Sequence, residues 1–208
     1  MLARILFYPS LAYNYCMTKV SSRTWYNRID STVILGALPL KCIAQQVKEF
    51  IVQIFSLIRD CRGRNNVYKL FTIQTDRLME EEKIKGIVSL NEDYELKYLT
   101  FTTEELKTLG IEHLRLSTVD FTGTPTQEKL VLGVQFLNKH RELGQSVYVH
   151  CKAGRTRSTT LVVCYLMQLH KWKPQEAVDF IKSKRPHILL RDKQLKSIED
   201  YNNSFIDS

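Results

Sequence analysis

Residues 146–161 read SVYVHCKAGRTRSTTL, and this stretch decides how the chain folds around it. Its first five residues are a short apolar and β-branched run, which predicts a buried strand. The residues after Arg157 open an apolar helix that reaches about Leu169. A strand that enters a loop and then a helix directs the unpaired N–H groups of the helix start at whatever lies above Cys151. The sequence therefore predicts an anion site at this loop.

The spacing inside the loop suits one tetrahedral phosphate. Five residues separate Cys151 from Arg157, which is enough for the backbone to curl with its amides facing inward as a nest. Gly154 permits backbone angles that other residues resist. Arg157, at the far end, can return its planar guanidinium to two phosphate oxygens.

Nucleophilic use of Cys151 requires a thiolate. Lowering an ordinary thiol pKa of ~8.5 by three units takes about 4 kcal/mol, whereas a helix dipole gives ~2 kcal/mol at best. The remainder is expected from the loop amides and Arg157, and Ser158 is placed to donate a hydrogen bond to the sulfur. The alternative, a small buried hydrophobe, fits Cys164 in mid-helix better than Cys151, which lies among three cations and a glycine.

Composition sets broad limits. The chain has 208 residues, of which 44% are hydrophobic, and 30 Lys and Arg against 22 Asp and Glu give a net charge of +8. These values describe an ordinary folded domain with an anionic partner. The five cysteines are scattered without a C-x-x-C pair, which favours a reducing compartment. No basic block with interleaved aromatics occurs, so nucleic acid is disfavoured.

Strand and helix patterns alternate along the chain. Apolar or β-branched runs at 32–35, 87–90, 114–119 and 146–150 predict strands, and helical patterns lie between and after them. This order predicts an α/β domain with a central mixed sheet flanked by helices. Helices are expected from a Thr124 cap to about Leu143, from Pro174 to the basic residues before Pro186, and from about Asp192.

The N-terminal residues have a composition of their own. Residues 1–29 contain no Asp or Glu but include basic, hydroxyl and aromatic side chains, which is typical of a mitochondrial targeting segment. Arg4, Pro9 and Asn14 interrupt the apolar stretch, so we expect it to lie on a membrane surface rather than to span the bilayer. A plain segment packed on the domain is the alternative, and a secretory signal is disfavoured.

The loop His150–Ser158 resembles the signature of the cysteine-dependent protein-tyrosine and dual-specificity phosphatases. Within that superfamily the chain is similar to the mitochondrial phosphatases that act on phosphatidylglycerophosphate. The supporting stretches are 4–9, 25–30, 35–39, 91–95, 115–123 and 147–172. The resemblance implies a dual-specificity-phosphatase-like fold, a phosphocysteine intermediate and no metal or other cofactor.

An ester oxygen leaves readily only if an acid on a mobile segment protonates it. Asp120 lies in such a connection, thirty-one residues before Cys151, and matches the family's acid position; capping of a local turn is the alternative. Cys151, Asp120 and Arg157 are therefore the expected catalytic residues. The expected substrate contacts are Tyr94, Lys152, Ala153, Gly154, Arg155, Thr156 and Ser158.

The substrate is expected to be an anionic phospholipid. Lys152 and Arg155 add charge that one phosphotyrosine does not need, although both side chains could simply face solvent. With the basic N-terminus, this favours a lipid substrate. The resemblance implies hydrolysis of phosphatidylglycerophosphate to phosphatidylglycerol, the precursor of cardiolipin, on the matrix side of the inner mitochondrial membrane. A dual-specificity protein phosphatase is the alternative function, and a non-catalytic phosphate-binding module is a third.

The predicted organisation is a targeting or membrane-associating segment, 1–29, and a phosphatase domain, 30–208. Residues 46–77 are longer than the corresponding part of the resembling family, and part of this stretch has helical spacing. They are predicted to be an insertion, either an added amphipathic helix or sequence not selected to fold there.

Overall fold

The computed structural model describes residues 2–40 and 81–206, and the predicted insertion 46–77 lies outside them. Twelve elements follow one another in these residues: α1 (Leu2–Val20), β1 (Tyr26–Arg28), β2 (Val33–Gly36), β3 (Ile84–Ser89), α2 (Asp93–Leu96), α3 (Thr103–Thr108), β4 (Glu112–Arg115), α4 (Gln127–Glu142), β5 (Ser146–His150), α5 (Arg157–His170), α6 (Pro174–Lys184) and α7 (Asp192–Ile206). The expected α/β class is confirmed.

The five strands form one mixed sheet in the order β1-β2-β5-β3-β4. β5 is central and runs parallel to both β2 and β3, whereas β1 pairs antiparallel with β2. The carboxyl end of β5 therefore opens between two neighbouring parallel strands, which is where α/β sheets place their ligands. The residue at that end is Cys151.

The two faces of the sheet are buried in different clusters. Val147 and Val149 of β5 join the main cluster with α4, α5, α6 and α7, whereas Tyr148 packs on the opposite face with α3. This is the alternation that a strand imposes on successive side chains. Because both faces are covered, β5 is buried over its last four residues, and this rigid strand fixes the position of Cys151.

α1 packs against the domain. Its Phe7, Leu11 and Tyr15 lie in a third cluster with Trp25 and Leu38. Pro9 lies inside the helix and has no N–H to pair with the Ile5 carbonyl, but both residues are exposed, so water can solvate that carbonyl. In the described residues, no helix is long and apolar enough to cross a bilayer.

Two predicted boundaries were wrong. α4 is capped by Thr126, whose side chain accepts from the Lys129 N–H, and not by Thr124; Thr126 is also a good cap residue. β4 ends at Arg115 instead of continuing to Val119. Leu116 still donates to the Ser89 carbonyl of β3, and beyond it the Thr118 carbonyl accepts a hydrogen bond from Arg157.

Candidate active site

The phosphate loop, residues 151–157, makes a tight turn between β5 and α5. Gly154 has a φ of 60°, which side chains disfavour. A Cβ at this position would also meet the carbonyl of Gly36 and would lie 2.9 Å from the Ala37 nitrogen. The loop therefore needs glycine at position 154 for its backbone angle and for space.

The Cys151 sulfur is buried, and polar donors face it. Ser158 Oγ donates to Cys151 Sγ over 3.2 Å. Burial acts to raise the pKa of the thiol, but the Arg157 guanidinium, the Ser158 hydroxyl and the backbone N–H groups of Ser158 and Arg155 together hold this pKa below its ordinary value. The sulfur is thus placed among groups that stabilise a thiolate.

Arg157 is fixed by a carboxylate of the short helix α2. Its guanidinium donates to both carboxylate oxygens of Glu95, over 2.8 and 3.1 Å, and to the carbonyls of Thr118 and Leu90 over 2.8 and 3.2 Å. Burial lowers the pKa of Arg157, but Glu95, Cys151 and Asp120 outweigh burial and raise it. Its Nε–H is buried without a hydrogen-bond partner among residues 2–40 and 81–206.

Asp120, in the segment after β4, also contacts the Arg157 guanidinium. One carboxylate oxygen lies 2.9 Å from Arg157, and the other pairs with the Lys152 ammonium group. Lys152 Nζ also lies 3.9 Å from the centre of the Phe121 ring, which is within cation–π distance. Lys152, expected to contact substrate, is therefore directed at Asp120 and Phe121 in this structure.

Tyr94 borders the site from the segment that contains Glu95. Phe7 of α1 packs edge-on against its ring, and the Arg4 guanidinium lies 5.0 Å from the ring centre. Burial, followed by the charges of Glu95, Glu92 and Asp120, raises the pKa of Tyr94 to about 12. Helix α1 thus packs beside the residues expected to be catalytic.

Arg155 does not join the Asp120–Arg157 pair and is directed toward His187. Its Nε donates to the His187 carbonyl over 2.8 Å. Burial, Arg23 and Arg191 lower its pKa, although Tyr13 and Cys151 oppose this. No carboxylate pairs with Arg155 in the portions of the chain that the structure describes, and we call Arg23, Arg155 and Arg191 the basic rim.

A chain of hydroxyl and imidazole groups lies behind the loop. Ser89 Oγ is 2.7 Å from His150 Nε2 and 2.8 Å from His113 Nε2, and Thr103 Oγ1 is 2.9 Å from His113 Nδ1. Burial lowers the pKa of His150 to about 3 and that of His113 to about 4. Both imidazoles are therefore neutral near pH 7.

The structure brings Cys151, Asp120, Arg157, Ser158 and Lys152 into one cluster, as expected from the sequence. Tyr94 lies at its side, and Arg155 lies at the rim. The other three residues line the loop. Ala153 and Gly154 turn their carbonyls toward a buried arginine, and Thr156 precedes α5 as its N-cap residue. Their contact with substrate stays a prediction.

Sequence reasoning missed two charged residues. Glu95 was not among the expected site residues, yet its carboxylate holds Arg157. Arg185 had been counted only among the basic residues that end a helix, yet it contacts the phosphate loop. Glu95 is one of three acids around Tyr94 and Arg185 ends a basic stretch before Pro186, so nothing in the sequence singled out either residue. In the described part of the chain, no group of three or more His, Cys, Asp or Glu side chains could hold a metal ion.

Comparison with known proteins agrees with this geometry. Residues 68–204 match the model of the dual specificity phosphatase catalytic domain. The chain is 43% identical to the phosphatidylglycerophosphatase and protein-tyrosine phosphatase 1 of Rattus norvegicus over 97% of this chain and 90% of that protein, and 43% identical to its Homo sapiens counterpart over 97% and 86%.

Solved structures give the same result. The crystal structure of PTPMT1 in complex with PI(5)P superposes with a TM-score of 0.70 at 40% identity, covering 88% of this chain and 98% of that one. A crystal structure of Tk-PTP, at 23% identity and a TM-score of 0.64, shares the fold. The loop that closes on Cys151, the matching domain model and the full-length similarity lead to one conclusion: the chain belongs to the dual specificity phosphatase family.

Proposed function

We propose that this phosphatase hydrolyses phosphatidylglycerophosphate to phosphatidylglycerol through a phosphocysteine intermediate. One observation carries the proposal: the buried Cys151 sulfur lies against an Arg157 guanidinium that Glu95 holds in place, with the Arg157 Nε–H unpaired among the described residues. A phosphate oxygen would supply the partner that this buried donor needs. Nucleophile and oxyanion site are thus assembled before substrate arrives.

In the first step the Cys151 thiolate attacks phosphorus. The S–P bond forms, the bond from phosphorus to the glycerol oxygen breaks, and Asp120 gives its proton to that oxygen. The phosphate competes with Asp120 for Arg157, so Asp120 has to turn from the guanidinium toward the leaving oxygen. Its position on a connection outside the sheet suits this movement.

In the second step water attacks the phosphocysteine. Asp120, now a carboxylate, accepts one water proton while the new O–P bond forms and the S–P bond breaks. Inorganic phosphate leaves and the Cys151 thiolate is restored. Ser158 donates to the sulfur over 3.2 Å and stabilises it as a leaving group. The positive charge for both steps comes from Arg157 and the loop amides.

The basic rim supports a lipid with a second phosphate. Phosphatidylglycerophosphate carries a phosphodiester beside its terminal phosphate, and the rim offers arginines that have no carboxylate partner in the described residues. Guanidinium groups suit phosphate oxygens. Two relatives are named as phosphatidylglycerophosphatases, and the solved PTPMT1 structure holds PI(5)P, so comparable proteins act on or bind phospholipids.

The proposed location is the matrix side of the inner mitochondrial membrane. Residues 1–29 supply the proposed targeting and membrane-associating segment, and 30–208 supply the phosphatase domain. On α1, Ile5, Tyr13 and Val20 are 65%, 55% and 77% exposed. Basic residues between such side chains favour the surface of an anionic bilayer.

The test compares three substrates with purified full-length protein. Phosphate release is measured from vesicles containing phosphatidylglycerophosphate, from vesicles containing a phosphatidylinositol monophosphate, and from a phosphotyrosine peptide, with Cys151→Ser as the blank. We expect the highest kcat/KM on phosphatidylglycerophosphate. Preference for the peptide would instead identify a protein phosphatase, and no Cys151-dependent release from any of the three would leave a phosphate-binding module.

A further inference from the structure

Arg185, the residue after α6, is a second buried guanidinium beside the phosphate loop. It is 1% exposed, and its hydrogen bonds go to neutral oxygens: Nε to the Gly154 carbonyl (2.8 Å) and Nη2 to the Ala153 carbonyl (3.1 Å). No carboxylate pairs with it in residues 2–40 and 81–206. Burying an arginine without a counter-ion costs free energy. We therefore expect Arg185 to have a role at this position.

Its second set of partners lies in β1 and in the residues just before that strand. Nη1 donates to Asn27 Oδ1 over 2.6 Å and to the Thr24 carbonyl over 3.2 Å, and Nη2 lies 3.4 Å from the Trp25 carbonyl. Arg185 therefore joins three separate parts of the chain, and the loop is one of them. Burial lowers the pKa of Arg185 to about 10, although Tyr148 and Cys151 oppose this, so it stays charged near pH 7.

The geometry of the peptide unit links Arg185 to the sulfur. In a planar trans peptide the C=O and N–H bonds point in opposite directions. The Gly154 carbonyl points outward to Arg185, so the N–H of the same peptide unit, which belongs to Arg155, points inward. That N–H is one of the groups that lower the pKa of Cys151. The preceding unit is turned the same way, since Arg185 also holds the Ala153 carbonyl.

We propose that Arg185 is a positioning residue that holds the Ala153–Gly154 and Gly154–Arg155 peptide units with their amides facing Cys151. The Arg157 charge acts on the Cys151 sulfur, whereas Arg185 binds loop carbonyls that point away from it. Asn27 in turn orients Arg185, so the segment after α1 contributes to the reactivity of the sulfur. The catalytic consequence rests on the proposed function, whereas the effect on Cys151 does not.

The test is the pH dependence of Cys151 alkylation by iodoacetamide, followed by mass spectrometry of the peptide that contains it, with Cys151→Ser as the labelling blank. Arg185→Met is expected to shift this profile to higher pH and to lower kcat on p-nitrophenyl phosphate by about 10- to 100-fold, less than the loss of a whole oxyanion donor. Asn27→Ala, which removes the shortest contact of Arg185, is expected to shift the profile in the same direction by less.

The matched control is Lys184→Met, which removes the same charge from the adjacent exposed position and is expected to leave profile and kcat unchanged. Thermal unfolding identifies variants that do not fold. If Arg185→Met is one of them, Arg185→Lys replaces it, because lysine keeps the charge but cannot bridge both carbonyls. A folded variant at position 185 with the parent's profile and kcat would overturn the proposal. Because alkylation uses no phosphate ester, it gives this result even if the proposed substrate is wrong.

Discussion

The Lys152 ammonium group pairs with the Asp120 carboxylate, and the two side chains are only 6% and 11% exposed. A lysine in the phosphate loop thus binds the side chain proposed as the acid, and the Phe121 ring covers the same ammonium group. The pair restricts where Asp120 can lie before substrate enters. Lys152 therefore has a proposed role in orienting Asp120, beside any contact with a phosphate.

Asp120→Asn is expected to slow hydrolysis of an alkyl phosphate by about 10²- to 10⁴-fold, the usual contribution of a general acid. An aryl phosphate should be slowed far less, because a phenolate leaves without protonation. The measurement is kcat/KM of parent and variant on glycerol phosphate esters and on p-nitrophenyl phosphate. Equal slowing on the two substrates would remove Asp120 as the acid.

Lys152→Met is expected to lower kcat on the alkyl phosphate about 10-fold, a coupling of ordinary size for two residues in contact. In the Asp120→Asn background the same change should have almost no further effect, because the pair is already lost. A double-mutant cycle over the four proteins measures this. If the two losses simply multiply, Lys152 acts independently of Asp120.

Glu95→Gln is expected to lower the free energy of unfolding by about 3–5 kcal/mol, because the buried Arg157 loses its carboxylate partner. Urea denaturation at pH 7 measures the change. Glu104→Gln removes an exposed carboxylate on α3 and should stay within about 0.5 kcal/mol of the parent. An equally small effect at Glu95 would show that its pairing with Arg157 contributes little to stability.

The buried histidines predict acid sensitivity. The unfolded chain takes up protons at His150 and His113 as pH falls below about 6.5, but the native pKa values are lowered to about 3 and about 4. The unfolded state then binds more protons, so stability decreases as pH falls from 6.5 toward 4, by up to about 1.4 kcal/mol per pH unit at His150.

Urea denaturation at pH 7 and pH 5 tests this expectation. His113→Gln cannot take up the proton in either state, so the loss of stability between the two pH values should be smaller than in the parent. An unchanged loss would mean that His113 does not contribute to it. Each protein is compared with itself at the two pH values, so the hydrogen bond to Ser89 that the variant loses cancels from the difference.

The phosphate loop could be predicted from the sequence because its determinants are local. The strand before Cys151, the glycine at 154 and the helix from Arg157 are encoded within a few residues of one another, and the structure confirms all three. Asp120 was predicted to be the general acid because the reaction needs a proton donor and because its position matches that of the family's acid. Its catalytic role stays a prediction for the experiment above.

The supporting contacts could not be predicted because they join residues that are distant in sequence. Glu95 and Arg157 are 62 positions apart, and Arg185 lies 160 positions from Trp25. No periodicity or capping rule connects such pairs; the folded sheet brings them together. The contact between Arg157 and the Thr118 carbonyl, just beyond the end of β4, also joins residues that are distant in sequence.

The packing of helix α1 has a consequence for processing of the N-terminus. Three of its side chains belong to the cluster that covers Trp25: Phe7, Leu11 and Tyr15. A maturation protease that cut after Val20 would strip them away and uncover an aromatic surface beside the catalytic pocket. If this helix is the mitochondrial targeting segment, we expect the active enzyme to retain it after import.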